Sequence, residues 1–126
     1  MKSIVASFII FIVMLISIFI STNYLNSICK KLETLDMQIE RNVETDSWNK
    51  AYSNSLKFLN QWEEYSQKVS IFVHHAEIDN INNELWKLTQ YTKCKNKDES
   101  LASTHVLKFY LDHIADMEKV NPQNIF

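Results

Sequence analysis

Residues 4–20 read IVASFIIFIVMLISIFI, and fifteen of these seventeen residues are apolar while none is charged. An α-helix of this length measures about 25 Å, which suits the hydrocarbon core of a bilayer. The alternative is a cleaved signal peptide, whose apolar core has roughly 7–15 residues and is followed by small residues. The sequence STNYLNS that follows has no such cleavage site. We therefore predict a transmembrane signal-anchor helix over residues 1–21.

The numbers of positive charges on the two sides of this segment are nearly equal, so they give only a weak preference for one orientation in the membrane. Lys2 precedes the apolar stretch, whereas Lys30 and Lys31 follow it after an uncharged interval. A very short amino-terminal tail normally stays inside while the long remainder is translocated. We expect a single-pass protein of the cell membrane, with a cytoplasmic amino terminus and an extracytoplasmic carboxy-terminal domain.

The composition of the 126-residue chain excludes several functional classes. It contains no Gly and a single Pro, Pro122. Glycine-dependent phosphate loops, nucleophile elbows and EF-hand loops are thereby excluded, and tight β-hairpins are disfavoured. The predicted fold class is all-α, with the transmembrane helix continuing into a small antiparallel helical bundle.

Apolar residues recur at helical spacing after the transmembrane segment. Residues 22–44 form a predicted juxtamembrane helix with a 3-4 repeat: Leu25, Ile28, Leu32, Leu35, Ile39 and Val43. Residues 45–126 form the predicted helical bundle, with helices over about 47–75, 78–95 and 98–119. The apolar phase shifts by about two residues between Ala76 and Ile78, which predicts a turn near 75–78. Asn96 is expected in the left-handed position of the next turn.

Two tryptophans, Trp48 and Trp62, are predicted structural residues of the core. Large rings at helical spacing are usually buried, and Trp62 lies in the middle of the longest apolar face. The cluster of His75, Glu77 and Asp79 is also predicted to be structural. In this interpretation His75 ends the second helix, and the two carboxylates cap the third.

A metal site at the same corner is the competing hypothesis. His75 and Asp79 have i, i+4 spacing, and an antiparallel fourth helix would return His113 to that corner. A third fixed ligand is not evident from the spacing, so the structural interpretation is favoured and we expect no cofactor.

Net charge and cysteines restrict partners further. Thirteen basic against fifteen acidic residues give a net charge of −2 with no basic stripe, which argues against nucleic acid. Cys29 and Cys94 lack the sequence spacing of zinc ligands or of a redox-active pair, and we expect both to be unpaired. A disulfide between them on an oxidising side of the membrane is the alternative.

Part of the chain resembles a known family. The pattern comprises an apolar start, W-x-x-A, a second Trp, an HxExD stretch, an Lkf-L-x-x-I helix and a terminal NIF. The matching residues are Trp48, Ala51, Trp62, Phe72, His75, Glu77, Asp79, Leu107, Lys108, Phe109, Leu111, Ile114 and Asn124–Ile125–Phe126. It is similar to short bacterial membrane proteins, typical of clostridia, that are grouped only as a domain of unknown function. His74 stands where that pattern has an acidic residue. The resemblance implies a helical, membrane-anchored protein and supplies no activity.

These observations predict a non-enzymatic, membrane-anchored interaction or scaffold module. No nucleophile is placed beside a base by the sequence, so an enzyme is not expected. The expected partners are the lipid bilayer and a protein that the sequence does not identify. The alternative is an extracytoplasmic sensor or ligand- or metal-binding domain with a site near His75, Glu77, Asp79 and His113.

Overall fold

The computed structural model describes residues 1–71 and 73–117, which form four α-helices and no strand. They are α1 (Lys2–Glu44), α2 (Trp48–Val69), α3 (His75–Lys93) and α4 (Lys97–Met117). The all-α prediction is therefore confirmed. The family matches at Phe72 and at residues 124–126, and the predicted helix end at residue 119, lie outside the described residues.

Helix α1 is unbroken for 43 residues and has two halves with different surroundings. Its amino-terminal half is long and apolar enough to cross a membrane, and none of that window is buried inside the protein. Its carboxy-terminal half carries the predicted 3-4 repeat from Leu25 to Val43, and those side chains are buried. The predicted transmembrane and juxtamembrane helices are thus one helix, whose second half forms a wall of the bundle.

The four helices pack in cyclic order, with α1 against α2 and α4, and α3 against the same two helices. The core consists of apolar stripes that face one another at helical spacing. Its largest fully buried side chains are Trp62, Phe58, Leu32, Ile39, Ile81, Leu85, Leu88, Leu107, Leu111 and Ile114. The predicted burial of Trp62 is confirmed, because its side chain is 2% exposed, and Trp48 is partly buried against the same core.

Two of the three connections are three-residue turns with the same hydrogen bonds. Asp46 and Lys95 adopt the left-handed conformation, each with φ of 58°. After α1 the Ser47 N–H bonds the Asn42 carbonyl, and after α3 the Asn96 N–H bonds the Tyr91 carbonyl. This pattern satisfies carbonyls at a helix end in the way that a glycine usually permits. The expectation that Asn96 takes the left-handed position is wrong. The Asn96 side chain instead accepts from the Glu99 N–H at 3.2 Å and caps α4.

The α2–α3 connection comes earlier than the apolar phase indicates. Helix α2 ends at Val69 and α3 begins at His75, so the turn spans residues 70–74 rather than 75–78. His74 is the N-cap of α3, and its Nδ1 accepts from the Ala76 N–H at 3.2 Å. The prediction that His75 ends the second helix is therefore wrong, because the imidazole cap on the preceding residue starts α3 there.

Antiparallel packing places the α2–α3 turn at the end of the bundle where α1 enters. Glu77 of α3 lies level with His113 of α4, and Glu40 of α1 lies level with His105. Asn26 near the start of the buried half of α1 shares a cavity with Asp116. We call this end of the bundle, with Tyr24, Ile71 and Met117, the entry end.

Candidate functional site

The structure brings together only two of the four side chains that the sequence placed at a possible site. His113 Nε2 lies 3.7 Å from Glu77 Oε1, so α4 does return to this corner as expected. His75 and Asp79 are exposed on the first turns of α3. In the described chain no cluster of three or more His, Cys, Asp or Glu side chains is placed to hold a metal ion. The corner is thus a contact between a histidine of α4 and a glutamate of α3.

Both cysteines are free thiols, as expected from their spacing. Cys29 is buried on α1, whereas Cys94 is exposed in the α3–α4 turn. Burial, together with the nearby carboxylates of Glu33 and Asp112, raises the pKa of the Cys29 thiol to about 12. Cys29 is therefore unreactive at neutral pH, and Cys94 is the accessible thiol.

A row of carboxyl groups lies between α1 and α4. On α1, Glu33, Asp36 and Glu40 repeat the 3-4 spacing of the apolar stripe beside them. On α4, Asp112 faces Glu33, and Lys108 acts electrostatically on both Glu33 and Asp36. We call Glu33, Asp36, Glu40 and Asp112 the acidic row. Four carboxyl groups along one helix–helix interface repel one another when all are ionised.

Asp36 is the most unusual member of the acidic row. Its side chain is 2% exposed, and no donor among the described residues bonds its Oδ1. The pKa of the Asp36 carboxyl is raised to about 8, chiefly by burial and also by the negative charges of Glu40 and Glu33, against the opposing charge of Lys108. A carboxyl group kept from water and without a donor is more stable in its neutral form. Asp36 therefore holds a proton at neutral pH.

Glu33 and Asp112 bond to each other across the same interface. A hydrogen bond between two carboxyl groups requires one proton, and this bond is the main cause that raises the pKa of Glu33. Burial and the charge of Asp112 act in the same direction, Lys108 and Lys30 oppose them, and the resulting pKa is about 7. At the other end of the row Glu40 Oε1 lies 3.5 Å from His105 Nε2. Chemically, the row can take up and release protons near neutral pH.

A cavity of about 360 Å³ adjoins the acidic row toward the entry end. Asn26, Cys29, Lys30, Glu33, Asp112, Ala115 and Asp116 line it. It gives water a route to the Glu33–Asp112 pair. The thiol of Cys29 does not act as a nucleophile there, because its raised pKa keeps it protonated.

A second, larger groove runs between α2 and α3 on the opposite side of the bundle. Its volume is about 560 Å³, and its walls are Glu63, Ser66, Gln67, Asp79, Asn82, Asn83 and Trp86. Trp86 is 55% exposed, unlike the buried Trp62. Asp79, which the sequence placed at a corner site, thus contributes to a polar groove with one aromatic side chain.

Sequence reasoning missed the acidic row, although the chain contains a signal for it. The acidic residues of α1 follow the apolar stripe one position later, at the same 3-4 spacing. Such spacing places Asp36 at the edge of the buried face. Within single helices, the ion pairs Glu84–Lys87 at 3.8 Å and Glu64–Lys68 at 3.7 Å form at i, i+3 and i, i+4 spacing.

Comparison with known proteins identifies the family. A family model described as a domain of unknown function (DUF4363) matches residues 19–125, so the chain belongs to that family. No curated protein and no solved structure matches the chain. The match begins inside the apolar half of α1 and extends through the bundle.

Proposed function

We propose that this member of the DUF4363 family is a membrane-anchored, non-enzymatic interaction module that presents its bundle on the extracytoplasmic side. The proposal rests on the continuity of α1. One helix supplies both the apolar segment that is exposed along its length and the wall against which α2 and α4 pack. An anchor joined to the bundle without a break holds it at a fixed height above the membrane.

The polar residues of the apolar segment support membrane insertion. Ser7 and Ser17 donate their hydroxyl protons to the carbonyls of Ser3 and Val13, at 2.9 and 2.8 Å. Thr22 donates to the Ile18 carbonyl at 2.9 Å. Each hydroxyl is thereby satisfied within its own helix, which removes the cost of an unpaired donor in hydrocarbon.

The proposal that the module is not an enzyme is supported by the roles that the polar side chains already have. His105 and His113 pair with Glu40 and Glu77, and the Ser103 hydroxyl donates to Glu84. These contacts join neighbouring helices, as structural polar contacts do. The partners we propose remain the bilayer and a protein, with no nucleic acid.

The test of the proposed placement uses the two thiols. Cys94 should react with a membrane-impermeant maleimide on intact cells, and Cys94→Ser should abolish the labelling because Cys29 is buried. The protein should also stay in the membrane fraction after carbonate extraction. Labelling that requires cell lysis would reverse the orientation, and release by carbonate would remove the anchor.

A second candidate function is favoured by the acidic row. A sensor ectodomain whose stimulus is the proton would need groups that titrate near neutral pH at a helix–helix interface. Asp36 and Glu33 are such groups, and they lie between the anchoring helix and α4. The pH dependence of bundle stability tests this candidate.

A further inference from the structure

Seven large apolar side chains of the described residues are exposed outside the apolar segment, and three of them, Tyr24, Ile71 and Met117, lie at the entry end. Ile71 is 84% exposed, more than any other large apolar side chain of the described bundle. Single exposed apolar residues are common on protein surfaces, so the exposure of Ile71 does not by itself indicate a contact. The position of Ile71 in the bundle is what indicates one.

The other connections of the bundle provide the comparison. At the far end the two turns read Thr45-Asp46-Ser47 and Cys94-Lys95-Asn96, without a large apolar side chain. Among the turn residues that the structure describes, Ile71 at the entry end is the exposed large apolar side chain, and polar residues are the usual choice for such a turn. The apolar side chain thus occurs at the one end of the bundle that faces the proposed membrane.

The height of the turn above the bilayer follows from α1. The apolar stretch ends at Ile20, and Tyr24 lies four residues later, which is about 6 Å along a helix. Each headgroup region of a bilayer is about 5–8 Å thick. Lys31 to Gln38 of α1 share a cavity with Lys57 to Tyr65 of α2, so antiparallel continuation brings the turn after Val69 to the level of Tyr24 and Leu25. Ile71 is therefore at headgroup height.

We infer that Ile71, two residues after the end of α2, makes a second membrane contact by entering the headgroup region of the bilayer that α1 spans. Tyr24 and Met117 lie at the same level, and tyrosine is typical of the membrane–water interface. The contact rests on the proposed function, since it requires α1 to be the anchor. With two points of attachment the bundle stands upright, and the groove beside Trp86 faces sideways into solvent.

The contact is tested in the full chain reconstituted in phosphatidylcholine vesicles with a spin-labelled lipid that carries its nitroxide near the headgroup. An environment-sensitive fluorophore is attached at Ile71→Cys in a Cys94→Ser background. Wild-type protein labelled at its native Cys94 is the matched control, because that residue lies in a turn at the far end. Ile20→Cys in the same Cys94→Ser background reports the anchor itself.

Quenching at Ile71→Cys should be at least threefold greater than at Cys94 and comparable with that at Ile20→Cys. If Ile20→Cys is quenched and Ile71→Cys is not, the second contact is wrong while the anchor stands. If neither is quenched, the anchor fails and the contact fails with it. Equal quenching at Ile71→Cys and at Cys94 would show a bundle lying flat on the membrane, which also overturns the inference.

Discussion

Replacing Asp36 with Asn should make the stability of the bundle much less dependent on pH. The pKa of Asp36 is raised from 3.8 to about 8 in the folded protein. Between these two values the folded state holds a proton that the unfolded chain has lost. The stability that the protonated Asp36 carboxyl contributes is therefore complete below pH 4 and is lost as pH rises through about 8.

The magnitude follows from the same two pKa values. At about 1.4 kcal/mol per pH unit, the Asp36 term should lower the free energy of unfolding by about 3–4 kcal/mol between pH 5 and pH 8. This is a large fraction of the stability of a small bundle, which is about 5–15 kcal/mol for native proteins in general. Asp36→Asn has nearly the same shape and no charge, so this term disappears. The variant should be more stable than the wild type at pH 8.

The assay is urea unfolding of full-length protein in a nonionic detergent, at pH 5, 6.5 and 8. Tryptophan fluorescence reports the bundle, since Trp48, Trp62 and Trp86 all lie on α2 and α3. Asp79→Asn, which removes a carboxylate from an exposed position, controls for the change in net charge and should keep the wild-type slope. Parallel wild-type and Asp36→Asn profiles would show that Asp36 ionises without a penalty, and would refute the reasoning.

Three further predictions concern the packing and the turns. Trp62→Ala should lower the free energy of unfolding by about 3–5 kcal/mol because it empties a buried site. Trp62→Phe should cost less, since it removes an indole N–H that has no acceptor among the described residues. Urea unfolding measures both variants. Lys95→Gly should raise the melting temperature and stabilise by about 1 kcal/mol, because Lys95 has φ of 58°, and an unchanged or lower melting temperature would contradict this. His113→Ala should lower the free energy of unfolding by less than about 1 kcal/mol, the scale of a partly exposed contact between charged side chains. Zinc should leave the melting temperature of the wild type unchanged. A rise in melting temperature with zinc that His113→Ala abolishes would establish a metal site.

The sequence was sufficient for the fold because the apolar periodicity is local information. The 3-4 repeat from Leu25 to Val43 defines the buried face of one helix without reference to any other. The turn between α2 and α3 was misplaced for a related reason. A shift in apolar phase shows that a break exists, but the residue at which the helix restarts depends on a cap, here the Nδ1 atom of His74.

The acidic row could not be predicted from the sequence of α1 alone, because it depends on how α1 packs against α4. Its properties arise from the register of α1 against α4, which sets Asp112 opposite Glu33 and Lys108 near Asp36. Spacing alone leaves Asp36 at the edge of a buried face, where a small rotation of the helix would expose it. The left-handed Lys95 is a similar case, because the hydrogen bonds of the completed turn impose a conformation that lysine does not prefer.

The two interfaces of α1 respond differently to pH, and this difference connects the acidic row to the anchor. The side chains that line the α1–α2 cavity include Lys31, Lys57 and Tyr65 but no carboxylate. The α1–α4 interface contains all four members of the acidic row. Rising pH therefore adds like charges between α1 and α4, whereas the α1–α2 cavity has no carboxylate to contribute such a charge. Since α1 is also the proposed membrane helix, proton loss would weaken the packing of α4 without releasing the bundle from its anchor.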